Sequence, residues 1–129
     1  MRFAAFFLLV QVLTLARPAG AAEQVLCHVE YGGETRELRA DPVSSPYAVA
    51  PTAIGSYFLF RVVFERSGPV KLYTYADHDA GPVPIHVAEY PRSLLRSRGR
   101  SFTGVQTVYE PLRDGELKYW CELVGKGAR

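Results

Sequence analysis

The sequence predicts an all-β protein: a single small antiparallel β-sandwich of about seven strands, or a small barrel, closed by one disulfide between its first and last strands. Three observations carry that reading. Short runs rich in Val, Tyr, Phe and Thr alternate apolar with polar residues, the period of a half-buried strand. Gly, Pro, Ser and Asp separate those runs at roughly 8–12-residue spacing, with almost no helical periodicity. The chain has 2 cysteines, Cys27 and Cys121, close to its two ends.

The N-terminus follows a different pattern. Arg2 supplies a positive charge, and the run from Phe3 to Leu15 is apolar except for Gln11 and Thr14. Pro18 and the small residues Ala19, Gly20, Ala21 and Ala22 come next. Charge, short apolar core and small-residue site in that order predict a secretory signal peptide over residues 1–22, cleaved after Ala22. As a membrane span the segment is too short. About 14 residues at roughly 1.5 Å each reach about 21 Å, against a hydrocarbon core near 30 Å. No transmembrane segment is expected once the signal is removed.

Residues 23–129 then form a single β domain, since about 107 residues close one core. Gln24 to Tyr31 puts Val25, Cys27, Val29 and Tyr31 on one face, with Gln24, His28 and Glu30 on the other. Gly32-Gly33 predicts a two-residue hairpin turn, because both positions accept positive φ. Glu34 to Ala40 returns as a polar edge strand. Pro42, Pro46, Pro51 and Gly55 make residues 41–56 a long, semi-rigid crossover between sheets rather than a strand.

Tyr57 to Glu65 is the strongest strand. Phe58, Phe60, Val62 and Phe64 share a face, and Leu59 and Val63 make the other partly apolar, so a central position is expected. After the Ser67-Gly68-Pro69 turn, Val70 to Asp77 alternates, with Lys71, Tyr73 and Tyr75 outward. A loop over 78–84 leads to a short strand, Ile85 to Tyr90. Residues 91–104 are the least regular stretch, with room for one helical turn. Val105 to Tyr109 and Glu116 to Val124 form a last hairpin, with Cys121 on its apolar face and Trp120 on the other.

An exported chain meets an oxidising compartment, so Cys27 and Cys121 are expected to pair. By the chain-entropy model, closing a loop on the order of 90 residues stabilises by roughly 4–5 kcal/mol. The absence of Asn, the presence of only two Ile and the excess of Arg over Lys suggest a GC-rich genome. With the signal pattern, the expected address is a bacterial periplasm or the exterior.

Charge excludes one class of partner. The chain has 15 Lys+Arg and 13 Asp+Glu, but Arg2 and Arg17 leave with the signal while every acidic residue lies from Glu23 onward. The processed chain is formally neutral, so nucleic-acid binding is not indicated.

Candidate chemistry is sparse. No G-x-S-x-G elbow occurs and both cysteines are committed, so no catalytic residue is assigned. No cofactor is implied. Arg92, Arg96, Arg98 and Arg100 form a locally uncompensated basic stretch, whose guanidinium forks suit phosphate or carboxylate. Tyr73, Tyr75 and Trp120 face outward and suit stacking on a sugar ring or packing on a partner. Asp77-His78-Asp79, with His86 nearby, offers nitrogen and oxygen donors that Zn²⁺ or Cu²⁺ accepts. The functional expectation is therefore a non-enzymatic module that binds a protein, a glycan or an anionic surface. The alternative is a periplasmic metal-binding protein built on the Asp77-His78-Asp79 loop.

Overall fold

Alternation chooses which face of each strand is buried, and the computed structural model shows how those faces meet. It describes residues 22–96 and 101–125. The expected signal peptide therefore lies outside the described residues, apart from Ala22. The first four-stranded sheet contains β1 (Glu23–Tyr31), β2 (Glu34–Ala40), β8 (Gln106–Glu110) and β9 (Gly115–Gly125) in the order β2-β1-β9-β8. The second sheet holds β3 (Pro42–Val43), β4 (Thr52–Ile54), β5 (Phe58–Glu65), β6 (Val70–His78) and β7 (Gly81–Tyr90). Its order is β3-β5-β6-β7, with β4 pairing the other end of β5. The two sheets form a sandwich, so of the two architectures expected the barrel is set aside.

The β1–β2 hairpin turns at Gly32 and Gly33, whose φ values of 62° and 80° admit the tight turn. β2 is an edge, as its polarity predicts. Its Glu34, Arg36, Glu37 and Arg39 leave little apolar surface for another strand to add to. β1 and β9 lie side by side, with Cys27 directly opposite Cys121 and their Cα atoms 4.1 Å apart. The disulfide is formed and both residues are fully buried. Val25, Cys27, Val29, Leu117, Tyr119 and Cys121 face the second sheet, which returns Phe58, Phe60, Phe64, Val70, Leu72 and Ala76. Burying each of these phenylalanines contributes about 2–3 kcal/mol, and such contacts hold the layers together.

Two expectations need correction. The 41–56 connection does cross between the sheets, but it carries two short strands around a 3-10 turn at Pro46–Ala48. β3 runs parallel to β5, which makes this sheet mixed. Two proline-flanked residues at an edge suffice for that pairing, a length too short to show in the alternation.

The loop expected over 78–84 is instead the start of β7, and the chain reverses at Asp79-Ala80, between His78 and its partner Gly81. Pro82 and Pro84 sit in this strand because β7 is an edge, where a missing ladder donor is tolerated. A bulge between Thr74 and Tyr75, opposite Ile85, shifts the register and hides the hairpin from a simple period-2 reading.

Residues 91–96 and 101–104 have the irregular character expected of that stretch. Arg92–Leu94 forms one 3-10 turn, and then Leu95 and Phe102 plug the core. Phe102 N–H donates to the Cys121 carbonyl and Cys121 N–H to Thr103 Oγ1, so this irregular segment continues the edge of the sheet alongside β9.

Candidate functional site

The outer face of the second sheet is built from side chains that β5, β6 and β7 point away from the core. Cross-strand register places Arg61, Tyr73 and Val87 in one row and Leu59, Tyr75 and Pro84 in the next. The rings of Tyr73 and Tyr75 stack, with centroids 6.2 Å apart and planes 15° from parallel. Both tyrosines are half-buried, while Val87 is 57% exposed.

Arg61 organises this face. Its guanidinium lies over the Tyr73 ring, 4.9 Å from the centroid, and its Nη1 donates to the Tyr75 hydroxyl at 3.4 Å. From the same group, Nε donates to the Val49 carbonyl at 2.9 Å and Nη2 to the Pro46 carbonyl. One cation thus ties the aromatic pair to the proline-flanked connection. A planar fork with five donors can serve several acceptors at once, which a lysine ammonium does less well. Sequence reasoning missed Arg61, although it stands as the one charge between apolar Leu59 and Val63 on that face of the strand.

The other sequence-predicted residues are dispersed. Trp120 lies on the outer face of the first sheet, on the far side of the sandwich from Tyr73 and Tyr75. It stacks on His28, with centroids 5.2 Å apart and planes at 10°. His28 in turn lies 3.5 Å from a Glu122 oxygen and 3.8 Å from a Glu37 oxygen.

Of the basic stretch, the two described arginines are engaged at separate places in the fold. Arg92 donates to the carbonyls of Glu65 and Arg66 at 2.6 Å each, and sits over the Phe64 ring. It braces the β5–β6 turn. Arg96 pairs with Glu23. Arg98 and Arg100 lie outside the described residues.

The potential metal ligands diverge. His86 Nε2 meets the Tyr119 hydroxyl at 2.9 Å, between the sheets, and burial lowers its pKa. His78 turns the other way, with Nε2 3.7 Å from Glu110 Oε1, while Asp79 faces Arg113 at 3.7 Å and Asp77 is exposed. Among the described residues no group of three or more His, Cys, Asp and Glu side chains is placed to hold a metal ion.

Glu110, which sequence reasoning passed over, is the most buried carboxylate, at 2% exposure. It accepts the amide protons of Leu112 and Arg113 at 3.1 and 2.9 Å, closing the β8–β9 turn. Burial alone pushes its pKa up, but the two turn amides, with the Tyr57 hydroxyl and the His78 ring close by, outweigh that and leave it below the ordinary carboxylate range. Burial beside this carboxylate raises the Tyr57 phenol to about 12. The Arg113 guanidinium covers the Tyr57 ring at 4.3 Å. The cluster joins the end of one sheet to the end of the other.

Compared with protein-family models, with curated proteins and with solved structures, the chain matches none at a significant level. Among the described residues no helix is long and apolar enough to cross a membrane.

Proposed function

We propose that this chain is an exported, non-enzymatic interaction module that binds a protein partner through the outer face of its five-stranded sheet. The observation that carries the reading is the Tyr73–Tyr75 stack, held by a guanidinium that is itself anchored at Pro46 and Val49. Tyrosine and arginine are the residue types enriched where protein interfaces concentrate their energy. Here they stand beside exposed Val87 and Pro84, and their rotamers are restrained before any partner arrives, so less side-chain entropy is lost on binding. Arg92 and Arg96 are engaged within the fold, which favours this face over the basic stretch as the contact surface.

The periplasmic or secreted address is part of the same proposal. It rests on the N-terminal pattern and on a disulfide that persists in oxidising compartments. N-terminal sequencing of protein recovered from producing cells is expected to start at Glu23. A start at Met1 removes export.

For the binding face, a photoreactive benzophenone amino acid at position 87 is expected to give one discrete protein adduct, identifiable by mass spectrometry. That adduct should vanish when Tyr73→Ala and Tyr75→Ala are added, without loss of folding. An adduct that persists, or one that contains glycan and no protein, overturns this reading.

A further inference from the structure

We propose that residues 44–51 form a preformed recognition loop whose tip, Tyr47, anchors the partner by entering a concave, uncharged pocket on its surface. The proposal rests on the protein-binding reading above and adds the kind of partner that fits.

Tyr47 is 92% exposed, the most solvent-exposed large apolar side chain among the described residues. An unsupported loop would let so large a ring fold back onto the groove beside it, where Val43, Val49, Phe60 and Val62 offer apolar surface next to Arg39 and Asp41. Its backbone is instead held from inside. Arg61 takes the carbonyls of Pro46 and Val49, one on each side of the tip, so those polar groups turn toward the sheet while the ring turns outward. Ala48 N–H closes a 3-10 turn on the Ser45 carbonyl at 3.3 Å. Pro46 and Pro51 restrict φ at both ends of the segment.

Charge describes the pocket. Between Asp41 and Arg61 no residue is charged, and Arg61 spends its donors within the fold. Interface centres are depleted of charge in this way, and a matching pocket has apolar walls with an acceptor or donor for the phenol hydroxyl. Arg61 joins the loop to the Tyr73–Tyr75 face, so the two surfaces form one contact area with a protruding anchor at its edge.

The test uses the full chain in cells that process it. The benzophenone residue is placed at position 47, at position 87 and, as a control on the opposite sheet, at position 109. The same protein should be captured from 47 and 87 and not from 109. Separately, purified protein is treated with chymotrypsin. Cleavage after Tyr47 is expected to be slow, and to rise roughly thirtyfold in Arg61→Gln, the factor that the two lost hydrogen bonds to the loop supply together.

Capture from 87 but not 47 overturns the loop and leaves the sheet face standing. Capture from neither overturns both. Wild-type cleavage after Tyr47 as fast as in denatured chain overturns the preformed loop. Should Arg61→Gln fail to fold, Tyr47→Ala decides. It is expected to melt like the wild type and to lose at least tenfold of the adduct formed from position 87, and undiminished capture overturns the anchor.

Discussion

Glu110 Oε1 lies 3.7 Å from His78 Nε2, so the carboxylate that closes the β8–β9 turn also faces the end of β6. Two turns on different sheets therefore share one buried charge. Its folded pKa is lower than in the unfolded chain, so the unfolded chain binds the proton more readily as acid is added. The stabilisation is complete above the unfolded value, near 4.5, and disappears as pH falls through the lower folded value. Thermal melts from pH 7 down to pH 3 should show a steeper loss for the wild type than for Glu110→Gln. The variant should already melt lower at pH 7, because an amide cannot accept both turn N–H groups as a carboxylate does. Equal slopes would show that Glu110 is not the latch.

His86 behaves differently because its contact lies between the sheets. Burial depresses its pKa, so the imidazole stays neutral in the fold and protonates more easily when unfolded. Its contribution is present above the unfolded value of 6.5 and is lost as pH falls below it. An NMR titration should place the His86 midpoint below 6.5. Tyr119→Phe removes the 2.9 Å hydrogen bond and should cost about 1 kcal/mol at pH 7, read from denaturant unfolding.

Thr74 is fully buried on the core face of β6, and its hydroxyl has no hydrogen-bond partner among the described residues. Burying an unpaired hydroxyl costs about 1–3 kcal/mol. Valine keeps the branched shape without the oxygen, so Thr74→Val should raise the melting temperature by several degrees. A fall would reveal a partner for that hydroxyl.

The disulfide is also shielded. Cys27 and Cys121 have no exposed surface, so a reductant should open the bond only together with unfolding. Mass spectrometry after alkylation should find no modified cysteine with dithiothreitol alone, and two when denaturant is present. The Cys27→Ala, Cys121→Ala pair should lose about 4–5 kcal/mol of stability, since the bond closes most of the chain into a loop.

Much of the sandwich was legible because a strand's side chains alternate with period 2. The apolar sets at 25, 27 and 29, at 58, 60, 62 and 64, and at 117, 119 and 121 announced their buried faces, and the Gly32-Gly33 turn announced its hairpin. The outward direction of Tyr73, Tyr75 and Trp120 followed from the same rule. The rule becomes unreadable where it is interrupted. The bulge opposite Ile85 concealed the first half of β7, and β3 is too short to have a period.

By itself the sequence determined strand faces, the hairpin at Gly32-Gly33 and the partnership of its two cysteines, all of which depend on local backbone geometry or on simple counting. Only the tertiary structure decided that Arg61 holds Pro46 and Val49, that Arg92 is spent on Glu65 and Arg66, and that His78 and His86 point to different neighbours. Those outcomes depend on which residues lie across the sheet or beyond its edge. Alternation says which side a side chain takes, and carries no information about what it will find there.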